Sequence, residues 1–338
     1  MSGAILFLCH NHVDYLQDGL FHGLASLLGK SRVIDWPRQE RFHVQTAGPQ
    51  PRLGFSPQPE PSRPRSRWRL RRELREGRFG LVVVAASRRG AFRAWHAVMD
   101  AAKAVPVVLV DGGDMVELAG QLAWESRLAL RKAVLAKRDF DLVFKREHRG
   151  TLTNHPDVVP ISFCLPEDYF VTPTEPISKT RQVAFRGNET SASRSQAIRM
   201  LRGVRDFAAA GGCDPVPGVR GQEYLRELAA TKVCLSFWGA GDDTLRYWEI
   251  ACVGSLLLAQ RPRMPVPDNF IDRKEAVFMQ DDLTDLVELL NYYCDHDAER
   301  EAIAAAGRAK FLRCHTTSAR ARYFLNRLAG RKLFPAVD

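Results

Sequence analysis

AILFLCHNHVDYLQDGLFHGLASLLG, residues 4–29, decides the fold class of this chain. A continuous apolar run gives way to polar HNHVD, and then Leu16, Leu20, Leu24, Leu27 and Leu28 recur at helical spacing. A short buried strand, a loop and an amphipathic helix form the repeating unit of α/β proteins. Asp14 followed by Gln17 is a capping-box spacing and predicts the helix start.

The unit recurs. RVIDW, LVVVAAS (81–87), VPVVLVDGGD (105–114), DLVFKRE (141–147) and VVPISF (158–163) are apolar strands separated by amphipathic stretches. Unbroken Val, Ile and Leu runs belong to parallel strands covered on both faces. PEDYFVTPTEPISKT (166–180) has linker composition, and the alternation restarts at QVAFRG. Beyond it the pattern predicts a Ser-capped helix from Ser193 to about 210 and a helix from Gln222 to Ala230. Strand KVCLSFW, helix LRYWEIACV, strands SLLLA and AVFMQ, and helix DLTDLVELLNYYC follow.

The expected organisation is an N-terminal Rossmann-like domain over 1–170, a linker over 171–181 and a second Rossmann-like domain over 182–312. A C-terminal helix within 313–338 would cross back to the first domain. Two such parallel sheets facing each other make a central cleft. A chain of 338 residues suits two domains.

Lys and Arg number 49 against 39 Asp and Glu, a net charge of +10 that favours anionic partners. No apolar run approaches the roughly 20 residues that span a bilayer. No signal-peptide pattern follows Met1, so a cytoplasmic location is expected. The seven cysteines are scattered without a C-x-x-C pair and read as reduced thiols. The histidines show no H-E-x-x-H spacing, so no metal and no cofactor are expected.

KVCLSFWGAGDDTLRYWEIACVG (232–254) combines a strand, a Gly-x-Gly turn and a helix. Gly239 and Gly241 allow close backbone approach, and a helix N-terminus capped by Asp243 or Thr244 offers free amides to phosphate. Asp242 and Asp243 oppose an anion there, and Arg246 offsets them by pairing with phosphate or with a carboxylate. Glu249, one turn on, suits the vicinal hydroxyls of a ribose. The residues alone equally allow a plain β–α turn and a surface Glu249 beside Arg246.

RYWEIACVGSLLL carries Arg246, Trp248, Glu249, Cys252 and Gly254; Phe270, Lys274 and Glu275 come next, then Asp282, Leu283, Tyr292, Tyr293, His315, Thr316 and Arg320. In this order the residues resemble the C-terminal domain of GT-B glycosyltransferases of the spore-maturation-protein type. DYLQDGLFHGL, VDGGD, FKRE and VVPISFCLPEDYF extend the resemblance to the N-terminal half. It implies a GT-B fold, with a nucleotide-diphosphate sugar on the C-terminal domain, the acceptor on the N-terminal one, and Glu249 on the donor ribose. QVAFRGNETSASR is then the first strand and loop of the donor domain, with Gly187, Asn188 and Arg194 at the diphosphate. Many retaining enzymes of this fold have a second Glu eight positions before the ribose-binding one, where this chain has Gly241. That departure favours inversion.

An inverting enzyme needs a base for the acceptor hydroxyl. Candidates follow the strands of the first domain: His10, His12 and Asp14 after the first, Asp111 or Asp114 in VDGGD. His12 comes first because an imidazole titrates near the working pH. Helix capping already accounts for Asp14, and VDGGD also reads as a tight turn.

The exposed Pro/Arg-rich insertion over 48–78 ends in RPRSRWRLRRELREGR. Its Arg65, Arg67, Arg69, Arg71, Arg72 and Arg75 read either as a solvated face or as a peripheral contact for anionic membrane at the inner face. No nucleic-acid module is present. The expected partners are a nucleotide sugar and a glycan, lipid-linked or other hydroxyl acceptor. A catalytically idle nucleotide- or glycan-binding adaptor and a sugar-nucleotide epimerase are the competing readings.

Overall fold

The computed structural model describes residues 3–43, 64–118, 140–148, 158–170, 177–187, 189–202 and 221–336. It divides into two compact units. One comprises the described residues up to Pro166 and again from Thr317; the other is Glu167–Thr316.

The first unit is built on β1 (Ala4–Leu8), β2 (Val33–Trp36), β3 (Phe79–Val84), β4 (Val107–Asp111), β5 (Leu142–Lys145) and β6 (Val158–Pro160). They form one sheet in the order β2-β1-β3-β4-β5-β6, with every pairing parallel. Consecutive residues of β3 and β4 are fully buried, Val82 to Val84 and Val107 to Val110, which is why these runs show no alternation. The order reverses between β1 and β3. In open α/β sheets ligands bind outside the carboxyl ends of the strands at such a point, which here brings together the loop after β1 and the one after β3.

The helices of this unit are α1 (Tyr15–Leu28), α2 (Arg67–Arg75), α3 (Arg89–Val98) and, from the end of the chain, α9 (Thr317–Gly330). The predicted start of α1 is present: Asp14 Oδ1 accepts the Gln17 N–H at 3.0 Å. α9 packs along α1. Gly23 makes that approach possible, because a Cβ there would lie 2.1 Å from the Thr317 carbonyl oxygen. α2 turns Leu70, Glu73 and Leu74 inward at i, i+3 and i+4. Two arginines of the basic stretch are therefore internal partners, with Glu73 accepting from Arg69 Nε at 2.7 Å and Arg65 Nε at 3.1 Å.

The second unit holds β7 (Arg181–Ala184), β8 (Thr231–Ser236), β9 (Leu256–Gln260) and β10 (Val277–Met279), paired in parallel in the order β10-β9-β8-β7. Around them lie α4 (Ala192–Arg202), α5 (Gly221–Ala229), α6 (Leu245–Val253), α7 (Leu286–Asp295) and α8 (Asp297–Cys314). Val183, Val233, Leu235, Leu256, Leu258 and Val277 form the core on one sheet face. All residues of α6 from Tyr247 to Val253 are buried, and Gly254 ends the helix in the left-handed region at φ 77°.

The structure differs from the sequence expectation at the cap of α4 and at the start of β7. Ser191, not Ser193, closes the start of α4: its Oγ accepts the Arg194 N–H at 3.3 Å while donating to the Trp238 carbonyl at 2.7 Å. Residues 171–176 of the expected linker lie outside the described residues, and Arg181 already belongs to β7. The insertion is described only from residue 64, where it leads into α2.

Candidate active site

In the second unit, the loops after β7 and β8 carry Gly187 and Gly239. A Cβ on Gly187 would lie 3.1 Å from Arg246 Nη2, and one on Gly239 2.9 Å from Arg194 Nη2. Both glycines thus admit a guanidinium against the backbone. Arg194 is buried and donates to Thr190 Oγ1 at 2.8 Å and the Phe237 carbonyl at 3.3 Å. Arg246 lies over the Phe185 ring, 4.9 Å from its centroid. Burial, and secondarily the neighbouring Arg246 charge, lower the pKa of Arg194 to about 10. Two cations held this close favour an anion beside them.

Thr244 occupies the N-cap position of α6 with extended backbone, but its side chain makes no cap. Its Oγ1 lies 3.1 Å from Ser236 Oγ instead. Asp243 Oδ1 accepts from Trp248 Nε1 at 2.7 Å within the protein. The Tyr247 amide already donates to the Thr244 carbonyl at 3.1 Å, which leaves the Leu245 and Arg246 amides as the ones an anion would meet. Asp242 is neutralised by Arg263, which reaches it at 2.7 and 2.9 Å and adds its backbone N–H at 3.0 Å. Arg263, not Arg246, takes that carboxylate, and the expected objection to a phosphate here loses its charge. The Gly241 carbonyl accepts the Gly239 N–H at 2.9 Å and closes the turn.

Glu249, only 7% exposed, accepts the Tyr169 hydroxyl at 2.8 Å. The Tyr169 carbonyl in turn accepts from Gln222 Nε2 at 2.7 Å. Burial first, then the Glu249 charge, push the Tyr169 hydroxyl far above the usual phenol range, so it remains a donor. Tyr224 is raised by the same two causes in the same order, opposed by Arg246. One cluster thus joins buried Glu249 and Tyr169 to half-buried Tyr224 and Arg246. Sequence reasoning missed both tyrosines, because Tyr169 is 80 residues from Glu249 and no spacing links them. Asn188 lies outside the described residues.

The residues behind α6 have a supporting role. His315 is fully buried, its ring 4.4 Å from Trp248 and 5.4 Å from Phe270, with Nε2 3.1 Å from the Asp268 carbonyl. Tyr247 donates to Asn269 Oδ1 at 2.6 Å. These contacts fix the helix that carries Arg246 and Glu249.

In the first unit the loop after β1 holds three polar groups of different availability. His10 is buried; its Nδ1 accepts the His12 N–H at 3.1 Å and its Nε2 lies 3.5 Å from Asp14 Oδ2. Nδ1 is therefore committed to a hydrogen bond, while Nε2 has only the longer approach to the Asp14 carboxylate. Asp14 caps α1 and also lies 3.5 Å from Arg88 Nε. Burial raises its pKa, but the His10 hydrogen bond, the His10 charge, the Gln17 amide and Arg88 together hold it below the usual carboxylate range. That makes Asp14 a poor base and an effective anchor. His12 is the exposed imidazole, its ring tilted by 38° against His10 at 6.0 Å between ring centroids. The His12 carbonyl accepts from Arg41 at 2.9 Å, which ties the loop to the Arg41–Asp18 ion pair.

Asp114 is exposed and pairs with Arg146 Nη2, whose Nη1 donates to Glu147 at 2.9 Å. Asp111 is fully buried beside Lys145 at 3.4 Å. Among the described residues no group of three or more His, Cys, Asp or Glu could hold a metal ion. No described helix is long and apolar enough to cross a membrane.

Residues 193–326 match the family described as "Glycosyl transferase-like". No curated protein matches the chain. Among solved structures, HepE of Anabaena in complex with UDP-glucose is similar with a TM-score of 0.59 at 11% identity, over 97% of this chain and 99% of that one. A glycosyltransferase from Rickettsia africae gives 0.58 at 10% identity, over 98% and 99%. An α-glucosyltransferase in complex with UDP and a DNA containing an HMU base gives 0.59 at 10% identity, over 98% and 100%. The fold is that of the GT-B glycosyltransferases, with a Rossmann-like sheet in each unit.

Proposed function

We propose that this chain transfers a sugar from a nucleotide-diphosphate donor to an acceptor hydroxyl, with inversion and without a metal, as a relative of the spore-maturation-protein type. The observation that carries this reading is the cluster in the second unit. Arg194 and Arg246 flank two glycines at the strand ends, the N-cap Thr244 of α6 makes no side-chain cap, and buried Glu249 is held by Tyr169. A diphosphate meets the charge of the two guanidiniums and the helix amides; a ribose meets Glu249. UDP is the first nucleotide to try, because HepE and the α-glucosyltransferase of similar fold were solved with it.

The leaving diphosphate would be stabilised by fixed cations and amides, so the reading needs no metal. His12 is the proposed base for the acceptor hydroxyl, positioned by His10 and Asp14. Asp114, tied to Arg146, is the second candidate. A glycan, lipid-linked or other hydroxyl compound would be the acceptor on the first unit.

The test is calorimetric titration of the protein and of Glu249→Ala with UDP, GDP, dTDP and CMP, without divalent metal. Selective binding of one diphosphate, weakened about tenfold or more in the variant, is expected. No binding by the folded wild type would overturn the donor assignment and favour an adaptor. Conversion of a sugar nucleotide with no acceptor present would favour an epimerase.

One observation favours an added membrane contact at the inner face. Trp68 on α2 is 79% exposed, and Arg67 and Arg75 beside it make no ion pair among the described residues, whereas Arg65 and Arg69 serve Glu73 and Arg72 serves Glu76. Arg71 donates to the Ala97 carbonyl at 3.0 Å. Sedimentation with anionic but not neutral vesicles is expected, and equal binding to both would remove the idea.

A further inference from the structure

A cavity of about 460 Å³ lies at the opposite end of the second sheet from the candidate active site. Strand polarity fixes its place. Lys179 precedes β7, Lys232 is the second residue of β8, and Gly254 directly precedes the turn into β9. The glycines and arginines of the candidate active site follow the other ends of β7 and β8. A six-residue strand is roughly 20 Å long. The cavity is therefore no extension of the candidate nucleotide site.

Four cations line it, Lys179, Lys232, Arg300 and Arg308, against one carboxylate, Glu301. Arg300 donates to Glu301 at 3.2 Å and also to Asp297, which receives Lys232 at 2.9 Å. Among the described residues, and counting Asp297, four positive charges line or adjoin the space against two negative ones, a surplus of two. Among the described residues Lys179 makes no carboxylate contact; its ammonium donates to the Ala229 carbonyl and to Ser255 Oγ, both at 2.8 Å. Burial lowers its pKa from the ordinary lysine value, a cost that an anion beside it would remove.

The rest of the wall is aliphatic, with Leu256, Ala304 and Leu312 facing the space. Leu312 is 48% exposed, so apolar surface continues outward from the charged end. A volume of this size falls within the range of small-molecule sites. Cations near the carboxyl ends of α5 and α6 also complement those helix dipoles. That accounts for Lys179 at the Ala229 carbonyl, but not for a hollow with an apolar wall and a surplus of two charges.

We propose that this cavity binds an organic phosphate monoester, its dianionic head between Lys179 and Arg308 and its carbon body along Ala304 and Leu312. The same chemistry is offered by a soluble sugar phosphate and by the phosphate head of an alkyl or lipid chain. Calorimetry with hexyl phosphate, glucose 6-phosphate, inorganic phosphate and hexanol distinguishes them. At least one ester binds tenfold more tightly than inorganic phosphate, and hexanol does not bind. Tighter hexyl phosphate assigns the lipid source, tighter glucose 6-phosphate the soluble one.

Arg308→Gln weakens the ester at least tenfold. Ala305→Trp does the same by filling the cavity from an exposed helix position where folding is not at stake. UDP titration serves as the control in both variants: its heat is the same as in the wild type, whether UDP binds or not. Absence of ester binding to the folded wild type, or ester binding unchanged in both variants, overturns the proposal independently of the donor assignment.

Discussion

Both units pair cations with carboxylates at their strand ends, as Arg186 with Glu227 and Arg263 with Asp242 in the second, but only the second also sets two guanidiniums against each other. In the first, cations meet carboxylates: Arg88 lies 3.5 Å from Asp14, Arg41 2.9 Å from Asp18, Lys145 3.4 Å from Asp111, and Arg146 pairs with Glu147 and Asp114. In the second, Arg194 and Arg246 are close enough for one to lower the pKa of the other. The nearby carboxylates are committed elsewhere, Asp242 to Arg263, Asp243 to Trp248 and Glu249 to Tyr169. A balanced edge suits an uncharged hydroxyl acceptor. An edge with concentrated positive charge favours an anion, because only an anion relieves the repulsion between its cations.

The sharpest way to break this contrast is a change in the first unit that leaves the second untouched. His12→Ala should lower transfer by about 10²–10⁴-fold with UDP affinity unchanged. Unimpaired turnover in that variant would remove His12 as the base. The converse change acts on the second unit: Arg194→Met and Arg246→Met should each weaken UDP by about tenfold while leaving uridine binding the same. If uridine weakened equally, the guanidiniums would be structural and not phosphate ligands.

Tyr169→Phe removes one neutral donor to Glu249 and should cost about 1 kcal/mol in UDP affinity, a severalfold loss by titration. An effect as large as that of Glu249→Ala would mean that the tyrosine, not the carboxylate, contacts the nucleotide.

The smallest effect concerns stability in the first unit. Burial, then the charges of His43 and Arg41, lower the pKa of His22 from 6.5 to about 3. The unfolded chain takes up a proton below about pH 6.5, whereas the folded one does so only near 3. Stability is therefore complete above pH 6.5 and falls as the pH drops toward 3. His22→Gln should show a shallower loss of Tm between pH 6.5 and 4.5. An identical slope would show that other groups govern the acid limb.

The strand and helix units were legible because burial on both faces leaves a direct mark in sequence. Val82 to Val84 need no alternation when neither face meets water. Asp14 was legible as a cap because the Gln17 amide lies within one turn of it. Arg246 and Glu249 could be singled out because they share a short helix behind a glycine turn. Tyr169, Tyr224 and the Arg194–Arg246 proximity left no such trace.

What the sequence by itself determined is local and periodic: parallel strands, covering helices, the start of α1 and a net charge that favours anions. Only the tertiary structure decided the strand order that reverses at β1 and β3, the burial of His10 against Asp14 while His12 stays exposed, and the partner of each carboxylate. It also decided that Arg263 neutralises Asp242 and that Tyr169 holds Glu249. The physical reason is one of range. Hydrophobic period and capping act within a few residues along the chain. A hydrogen bond or ion pair acts over about 3 Å in space, and the residues it joins here can be 80 positions apart, as Tyr169 and Glu249 are, or 163, as Tyr323 and Pro160 are.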